Sequence, residues 1–301
     1  MGSEIVVELP APMSALLSEL VDYAGLFPPA ALPMSEAVAK YASYTVGPQR
    51  AMLGRFVLPA ARLDEFLSCA DALETPATPW RLSALADPDD AELVARFNRW
   101  HSARFIIDAV ETKANDVATI WRIASAFDES YAVFVEIPVA ADPSGLIDEL
   151  AARGLRAKIR TGGVTADAFP SAGEIVRFMA LCARQGVPFK ATAGLHHPMR
   201  GEYPLTYAPG SDRATMHGFL GVFLAAALLY DGSDERDVAS LLEEGILDAI
   251  SVDEDGISWK GHRVTAAEIA RARAEFAASF GSCSFEEPVQ DLMTLNLIPA
   301  P

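Results

Sequence analysis

The sequence predicts an α/β protein built as a closed (β/α)8 barrel of the TIM type. Short apolar runs rich in β-branched and aromatic residues alternate with longer stretches of helical periodicity, as in βα units around a parallel sheet. The chain has 301 residues, somewhat more than the roughly 250 that a single barrel commonly takes. No Gly-x-Gly-x-x-Gly follows the early strands and no Walker A motif is present, which disfavours an open nucleotide-binding sheet. We therefore expect residues 1–301 to form one barrel domain.

The candidate strands are the short apolar runs of this alternation. They span residues 20–23, 55–58, 80–85, 104–108, 132–136, 155–160 and 187–192. For the eighth strand, both 247–252 and a segment near residue 280 remain open. We expect an insertion after the seventh strand, at about 199–262, because the alternation gives way there to a Gly- and Pro-rich loop, two helical patterns and a small hairpin.

The charge balance argues against two classes of partner. With 41 acidic and 24 basic residues, the formal net charge is −17, which repels nucleic-acid phosphates and anionic membrane surfaces. The most apolar run, Gly218–Tyr230, is too short to span a bilayer. A buried helix or an oligomer interface explains it, so a homodimer is one expectation.

Three cysteines, Cys69, Cys182 and Cys283, are too few and too widely spaced for a disulfide framework. They fit a reducing compartment, and no Cys/His cluster indicates a metal site. The segment Met1–Pro10 lacks a basic region followed by an apolar stretch, so we do not expect a signal peptide. The expected location is cytoplasmic.

Two lysines stand late in neighbouring apolar strands. Lys158 lies in Ala-Lys-Ile-Arg-Thr-Gly-Gly and Lys190 in Pro-Phe-Lys-Ala-Thr-Ala-Gly, about one βα unit later. Neighbouring strands are about 5 Å apart, so the two side chains can approach each other. A nearby cation and desolvation lower the pKa of a lysine, giving the neutral amine that Schiff-base chemistry requires. The alternative is that each lysine pairs with a carboxylate or an anionic ligand.

The stretch from Lys158 through Gly194 resembles the deoxyribose-phosphate aldolase family of class I aldolases. That family has a strand-end lysine in a Lys-x-Ser/Thr-Thr-Gly context and a second in Phe-Lys-x-x-Gly-Gly. The resemblance implies a β/α barrel without a cofactor, with Lys158 forming the Schiff base and Lys190 lowering its pKa. It also implies that Asp108, in Phe-Ile-Ile-Asp, moves protons, while Val-Phe-Val-Glu136 is similar to the next strand.

This sequence differs from the family pattern at both turns. Arg160 stands where the family has a small hydroxyl residue, and Leu195-His196-His197-Pro198 replaces the second glycine of the later motif. In that family these glycines bind substrate phosphate through backbone N–H groups. The resemblance therefore does not imply that the substrate is phosphorylated.

Further polar residues are expected around the same mouth of the barrel. His196 is a candidate general base, and either histidine could instead bind substrate or be structural. A guanidinium beside a glycine turn suits an anion, and this turn also fits a purely structural role. The expected substrate-binding residues are Arg160, Thr161, Gly162, Gly163, Gly194, His197 and Asp22.

Taken together, these features favour a class I aldolase-like carbon–carbon lyase that acts on a small carbonyl metabolite, including one with an anionic group. Its expected catalytic residues are Lys158, Lys190, Asp108, Glu136 and His196, with no cofactor. Two other functions are open: a metal-dependent barrel isomerase or hydrolase that uses Glu136, Asp108 and His196, and a ligand-binding barrel without catalysis.

Overall fold

A closed barrel of eight parallel strands forms the centre of the protein, as a computed structural model that describes residues 9–73 and 76–300 reveals. The predicted (β/α)8 barrel is confirmed. Most of the segment Met1–Pro10, which we expected not to be a signal peptide, lies outside the described residues. The barrel strands are β1 (Val21–Tyr23), β2 (Leu53–Pro59), β3 (Trp80–Leu85), β4 (Phe105–Lys113), β5 (Ala132–Glu136), β6 (Arg156–Arg160), β7 (Phe189–Thr192) and β13 (Ala277–Ser282).

The strands follow one another around the barrel in chain order, and β13 closes the ring between β7 and β1. Helices connect most of the strands and cover the outside of the barrel. They are α1 (Ala11–Leu17), α2 (Met34–Val46), α3 (Leu63–Ala70), α4 (Ala91–His101), α5 (Val117–Ala126), α6 (Ser144–Ala152), α7 (Ala172–Gln185), α8 (Phe219–Tyr230), α9 (Glu235–Leu242), α10 (Ala266–Glu275) and α11 (Glu286–Thr294).

Two of the predicted strands needed correction. The fourth was expected to end at Asp108, but β4 continues to Lys113. Its register against β3 shifts at Asp108, and the pairing resumes with Ala109 opposite Ser83. The eighth strand is the segment near residue 280, which pairs in parallel with both β7 and β1. The competing segment contributes β10 (Ile250–Val252), which belongs to a small antiparallel sheet.

The insertion after the seventh strand contains two small sheets. One is a hairpin of β8 (Gly201–Pro204) and β9 (Arg213–Met216). The other joins β10 to β11 (Gly256–Trp259) and β12 (His262–Thr265), so the predicted small hairpin has a third strand.

Helix α8 is apolar on all sides and is buried within a single chain. Phe219, Val222 and Phe223 have no more than 1% of their surface exposed. The helix packs against α7, α9, α10 and β13. A helix that is hydrophobic all round is expected to be buried in this way. Its composition therefore gives no support to the homodimer that the sequence suggested. Within the described ranges, no helix has the length and apolarity needed to cross a membrane.

An aromatic cluster packs strands β2, β3 and β4 against helices α2 and α3. Phe56 and Trp80 point outward from β2 and β3 and pack against Tyr41, Phe66 and Phe105 at ring-centroid distances of 5.1–5.6 Å. Such pairs add about 0.5–1.5 kcal/mol each beyond the area that they bury. This apolar shell leaves the inward-facing positions of the strands free for polar residues.

We expect Phe223→Ala to lower the free energy of unfolding by about 3–5 kcal/mol, because it leaves a cavity inside the buried helix layer. Urea denaturation measures the change. Trp100→Ala is the matched control, since 73% of the Trp100 side chain is exposed and its loss should change stability by less than about 0.5 kcal/mol. Equal effects of the two substitutions would contradict the burial of α8.

Candidate active site

A network of ion pairs fills the middle of the barrel. Glu111 on β4 accepts a hydrogen bond from Lys158 through one carboxylate oxygen, at 3.1 Å, and from Lys190 through the other, at 2.6 Å. Lys190 also donates to Asp22 on β1, at 2.6 Å. None of these contacts joins neighbouring strands, so the side chains meet inside the lumen. As the sequence predicted, Lys158 and Lys190 lie directly opposite each other on β6 and β7.

Lys190 and Asp22 are sealed inside this network. Lys190 is 1% exposed, and Asp22 also accepts hydrogen bonds from the Ser279 hydroxyl and the Arg55 backbone N–H, both at 2.7 Å. A Cβ at Gly54 would lie 2.3 Å from an Asp22 oxygen, so this approach requires glycine. Burial by itself lowers the pKa of Lys190, but the charges of Asp22 and Glu111 outweigh it and raise the pKa above its ordinary value. Lys190 is therefore a cation at neutral pH.

Glu111 is the residue that both lysines share, and sequence reasoning did not identify it. It also accepts a hydrogen bond from Ser83, at 2.7 Å. Burial favours the neutral acid, but Lys190, Lys158 and Ser83 together hold the pKa of Glu111 well below its usual range. The carboxylate therefore stays ionised.

Lys158 also contacts a second carboxylate, Glu136 at the end of β5, at 3.1 Å. Arg160 donates to Glu136 at 3.0 Å, and the Lys113 amine lies 3.7 Å from it. Burial raises the pKa of Glu136, but the charges of Lys158, Arg160 and Lys113 lower it overall. Three cationic side chains thus surround the Glu136 carboxylate.

A cavity of about 430 Å³ opens above this cluster, at the carboxyl ends of the strands. Active sites of TIM barrels lie at this end, and a cavity of this size suits a small metabolite. Its lining includes Glu111 and these predicted site residues: Lys158, Glu136, Arg160, Gly163, Gly194 and His196. Lys190 does not line it.

The turns that follow β6 and β7 pack directly on each other at the rim. The Thr161 hydroxyl donates to the Ala193 carbonyl at 2.6 Å. Gly194 has φ +74°, and a Cβ there would lie 2.7 Å from the Cα of Gly162. Thr161 and Gly162 therefore fix the shape of the rim, while Gly163 and Gly194 border the cavity.

His196 reaches the cavity from the loop after β7. Its Nδ1 lies 3.3 Å from a carboxylate oxygen of Glu287, on α11, and 3.9 Å from the thiol sulphur of Cys283. Burial favours the neutral ring, but the interactions with Cys283 and Glu287 prevail and raise the pKa of His196 to about 9. His196 is therefore an imidazolium at neutral pH.

Six of the predicted site residues do not line the cavity. Two of them, Lys190 and Gly162, lie in the network and the rim contacts described above. Asp108 pairs instead with Arg55, at 2.6 Å, and with Arg81, at 2.7 Å, in the first halves of β2 and β3. It lies one side-chain layer before Glu111, toward the amino ends of the strands, so its expected place beside Lys158 is taken by Glu111.

The remaining three lie in structural contacts. His197 binds Asp291 at 2.6 Å and stacks on Tyr203, with ring centroids 3.6 Å apart. Asp22 and Thr161 are fully buried within the contacts already described. None of these three residues lies where it could contact a ligand in the cavity, so their positions do not support the expected role in substrate binding.

The metal-dependent alternative required Glu136, Asp108 and His196 to meet around one ion. In the part of the chain that the structure describes, no group of three His, Cys, Asp or Glu side chains is arranged to hold a metal. The separation of Asp108 from the cavity explains why this set does not assemble.

Compared with known proteins, the chain matches no family model, and no curated sequence is significantly similar to it. The likeness to class I aldolases therefore depends on the two lysine motifs themselves.

We expect Lys190→Met to lower the free energy of unfolding by about 3–5 kcal/mol, because it leaves Asp22 and Glu111 buried without their shared cation. Chemical denaturation measures the loss. Adding Asp22→Asn should restore part of it, since the amide oxygen still accepts from the Arg55 N–H, the amide NH2 can donate to the Ser279 hydroxyl, and no charge remains buried at this position. No recovery in the double variant would contradict this electrostatic explanation.

The pH dependence of stability should report the ionisation of Glu111. Its folded-state pKa is lowered, so its contribution is fully present above its ordinary pKa of 4.5 and is lost as the pH falls toward the folded-state pKa. The stability gap between the wild type and Glu111→Gln should therefore narrow below about pH 4.5. The exposed Glu286 gives the control, because Glu286→Gln should show almost no gap at any pH.

Proposed function

We propose that the protein is a class I aldolase-like carbon–carbon lyase that binds a small carbonyl compound as a Schiff base on Lys158. The supporting observation is the position of the Lys158 amine, which is almost fully buried, borders the cavity and lies 3.1 Å from each of two carboxylates. Lys113 also borders the cavity, but its side chain is 66% exposed. Imine formation requires an amine that can lose its proton, and a carboxylate at this distance can accept it.

The two carboxylates have different parts in this proposal. Glu136 is more open to the cavity than Glu111, with a side chain 11% exposed against 3%. It accepts the proton that Lys158 must lose before its amine attacks the carbonyl carbon, and later the proton from the carbon next to the imine. Glu111 is held by Lys190 and Ser83, so it orients the Lys158 amine.

Lys190 receives a positioning role rather than the pKa-lowering role that the resemblance implied. Its charge is balanced by Asp22 and Glu111, and Glu111 contacts both amines. Lys190 thereby fixes the orientation of the carboxylate that contacts the nucleophile.

The charges around Lys158 also restrict the substrate. A carboxylate attached directly to the carbonyl carbon would lie close to Glu111 and Glu136, and like charges at such short range repel strongly in a buried site. The proposal therefore favours aldehydes and simple ketones over 2-oxo acids. A negative group farther along the substrate would meet Arg160, His196 and the glycine turn at Gly163.

Borohydride trapping tests the proposal. We expect incubation with propanal followed by reduction to leave an adduct on Lys158 in the peptide mass spectrum, because the imine is reduced to a stable secondary amine. Lys158→Met should abolish this adduct, while the matched variant Lys113→Met should retain it.

Two outcomes would change the assignment. An adduct on Lys190 in place of Lys158 would exchange the roles of the two lysines. No adduct at either site with any aldehyde or ketone, while exposed lysines react normally, would reject Schiff-base chemistry and favour a binding protein.

A further inference from the structure

A second group of polar side chains lies at the rim of the cavity, outside the lysine–carboxylate network. It joins three parts of the chain: His196 from the loop after β7, Glu287 from the first turn of α11, and Tyr207 from the tip of the β8–β9 hairpin. The Tyr207 hydroxyl donates to the Glu287 carboxylate at 3.1 Å, and that carboxylate lies 3.3 Å from His196 Nδ1. Elements distant in sequence therefore converge on one imidazole.

Glu287 is fixed in position as well as charged. Its backbone N–H donates to the Ser284 hydroxyl at 3.1 Å, at the start of the helix. The side chain does not return to cap the helix but extends to His196 and Tyr207. A carboxylate in the first turn of a helix is also favoured by the helix dipole. The lowered pKa of Glu287, in which His196 and Tyr207 outweigh burial, keeps it ionised.

The other ring nitrogen of His196 is available to a ligand. Glu287 and Cys283 both contact Nδ1, and no partner for Nε2 occurs among the described residues. The side chain is 13% exposed and lines the cavity into which the Lys158 amine opens. A carboxylate on one nitrogen with a free second nitrogen is the arrangement that orients a histidine for proton transfer.

Charged and titratable groups face His196 both from the protein behind the ring and from the cavity in front of it. Cys283, Glu287, Tyr207 and His197 lie on the protein side of the ring. Lys158, Arg160, Lys113, Glu111 and Glu136 line the cavity in front of it. Among the neighbours on the protein side, Glu287 is the carboxylate in direct contact with the ring.

We propose that His196 is the proton donor to the substrate oxygen remote from the imine, and that Glu287 is the positioning residue that keeps its Nε2 directed at the cavity. This inference rests on the proposed function. It assigns the proton that a carbon–carbon bond-forming or bond-breaking step must place on the second oxygen, a step that neither Lys158 nor Glu136 performs.

The step balances as follows in the direction of bond formation. The enamine on Lys158 attacks the carbonyl carbon of a second aldehyde, and the C=O electron pair moves to oxygen as the C–C bond forms. That oxygen takes the Nε2 proton of His196, which is replaced from solvent. Water then hydrolyses the iminium, releasing the hydroxyaldehyde and the free amine of Lys158. Cleavage runs through the same atoms in reverse.

Propanal in D₂O separates the two halves of this reaction. Deuterium exchange at its α-carbon needs the imine, whereas self-condensation to 3-hydroxy-2-methylpentanal also needs the second oxygen to be protonated. We expect His196→Gln to keep the exchange rate within about twofold of the wild type and to lower condensation by about 10² or more. Retained exchange also shows that the variant is folded.

Glu287→Gln tests the positioning residue. NMR titration should move the pKa of His196 from about 9 toward its ordinary 6.5, since the carboxylate that stabilises the imidazolium is gone. Because the proton donor must be protonated, condensation is lost as the pH rises through this pKa, and the loss should occur at lower pH in the variant. Asp291→Asn is the matched control on the same helix, since Asp291 contacts His197. It should leave both profiles unchanged.

Each outcome decides the proposal. Equal losses of exchange and condensation in His196→Gln, or a His196 titration unchanged by Glu287→Gln, would overturn it. Exchange absent in the wild type together with no trapped adduct on Lys158 would reject the proposed function, and the catalytic role of His196 with it. A trapped adduct with normal condensation in His196→Gln would reject the inference alone.

Discussion

The ion pairing of Glu111 with two lysines is the interaction on which the interior of the barrel depends. A carboxylate and two ammonium groups are each costly to bury alone, and several kcal/mol per ion are at stake even after relaxation. Here Asp22 supplies the fourth charge, and Ser83 and Ser279 satisfy remaining lone pairs. This pairing lets a polar core exist inside an apolar shell. It also allows Lys158, alone of the two lysines in the network, to face the cavity.

The overall fold could be predicted from the sequence because strand and helix periodicities differ and repeat along the chain. β3 and β5 have the bounds expected for them, and the matched contexts of Lys158 and Lys190 correctly placed them opposite each other. Local sequence patterns were enough to predict these features. The two lysines could be placed together because neighbouring parallel strands bring equivalent positions side by side. The eighth strand could not be chosen from sequence, because two short apolar segments fitted equally well and only ring closure distinguishes them.

The site was predicted less completely, for physical reasons that particular residues illustrate. Asp108 looked like a strand end because a charge in an apolar run usually marks one, yet Arg55 and Arg81 neutralise it inside the barrel. A sequence signal for Glu111 was present: Ala109 and Val110 continue the apolar run past Asp108, and Glu111 follows them directly. Glu287 carried no such signal, because a helix start explains a glutamate there. Its contact with His196 spans the whole insertion and the last barrel strand.

The pairing of Lys190 with Asp22 links residues 168 positions apart, on the seventh and first strands of the ring. During folding, an incomplete barrel would leave this lysine without Asp22, one of its two carboxylate partners, and a slip of strand register would separate the charges as well. Either arrangement buries an uncompensated ion, so it is disfavoured relative to the closed ring. The ion pairs in the lumen therefore favour the closed, correctly registered barrel over incomplete or slipped arrangements of its strands.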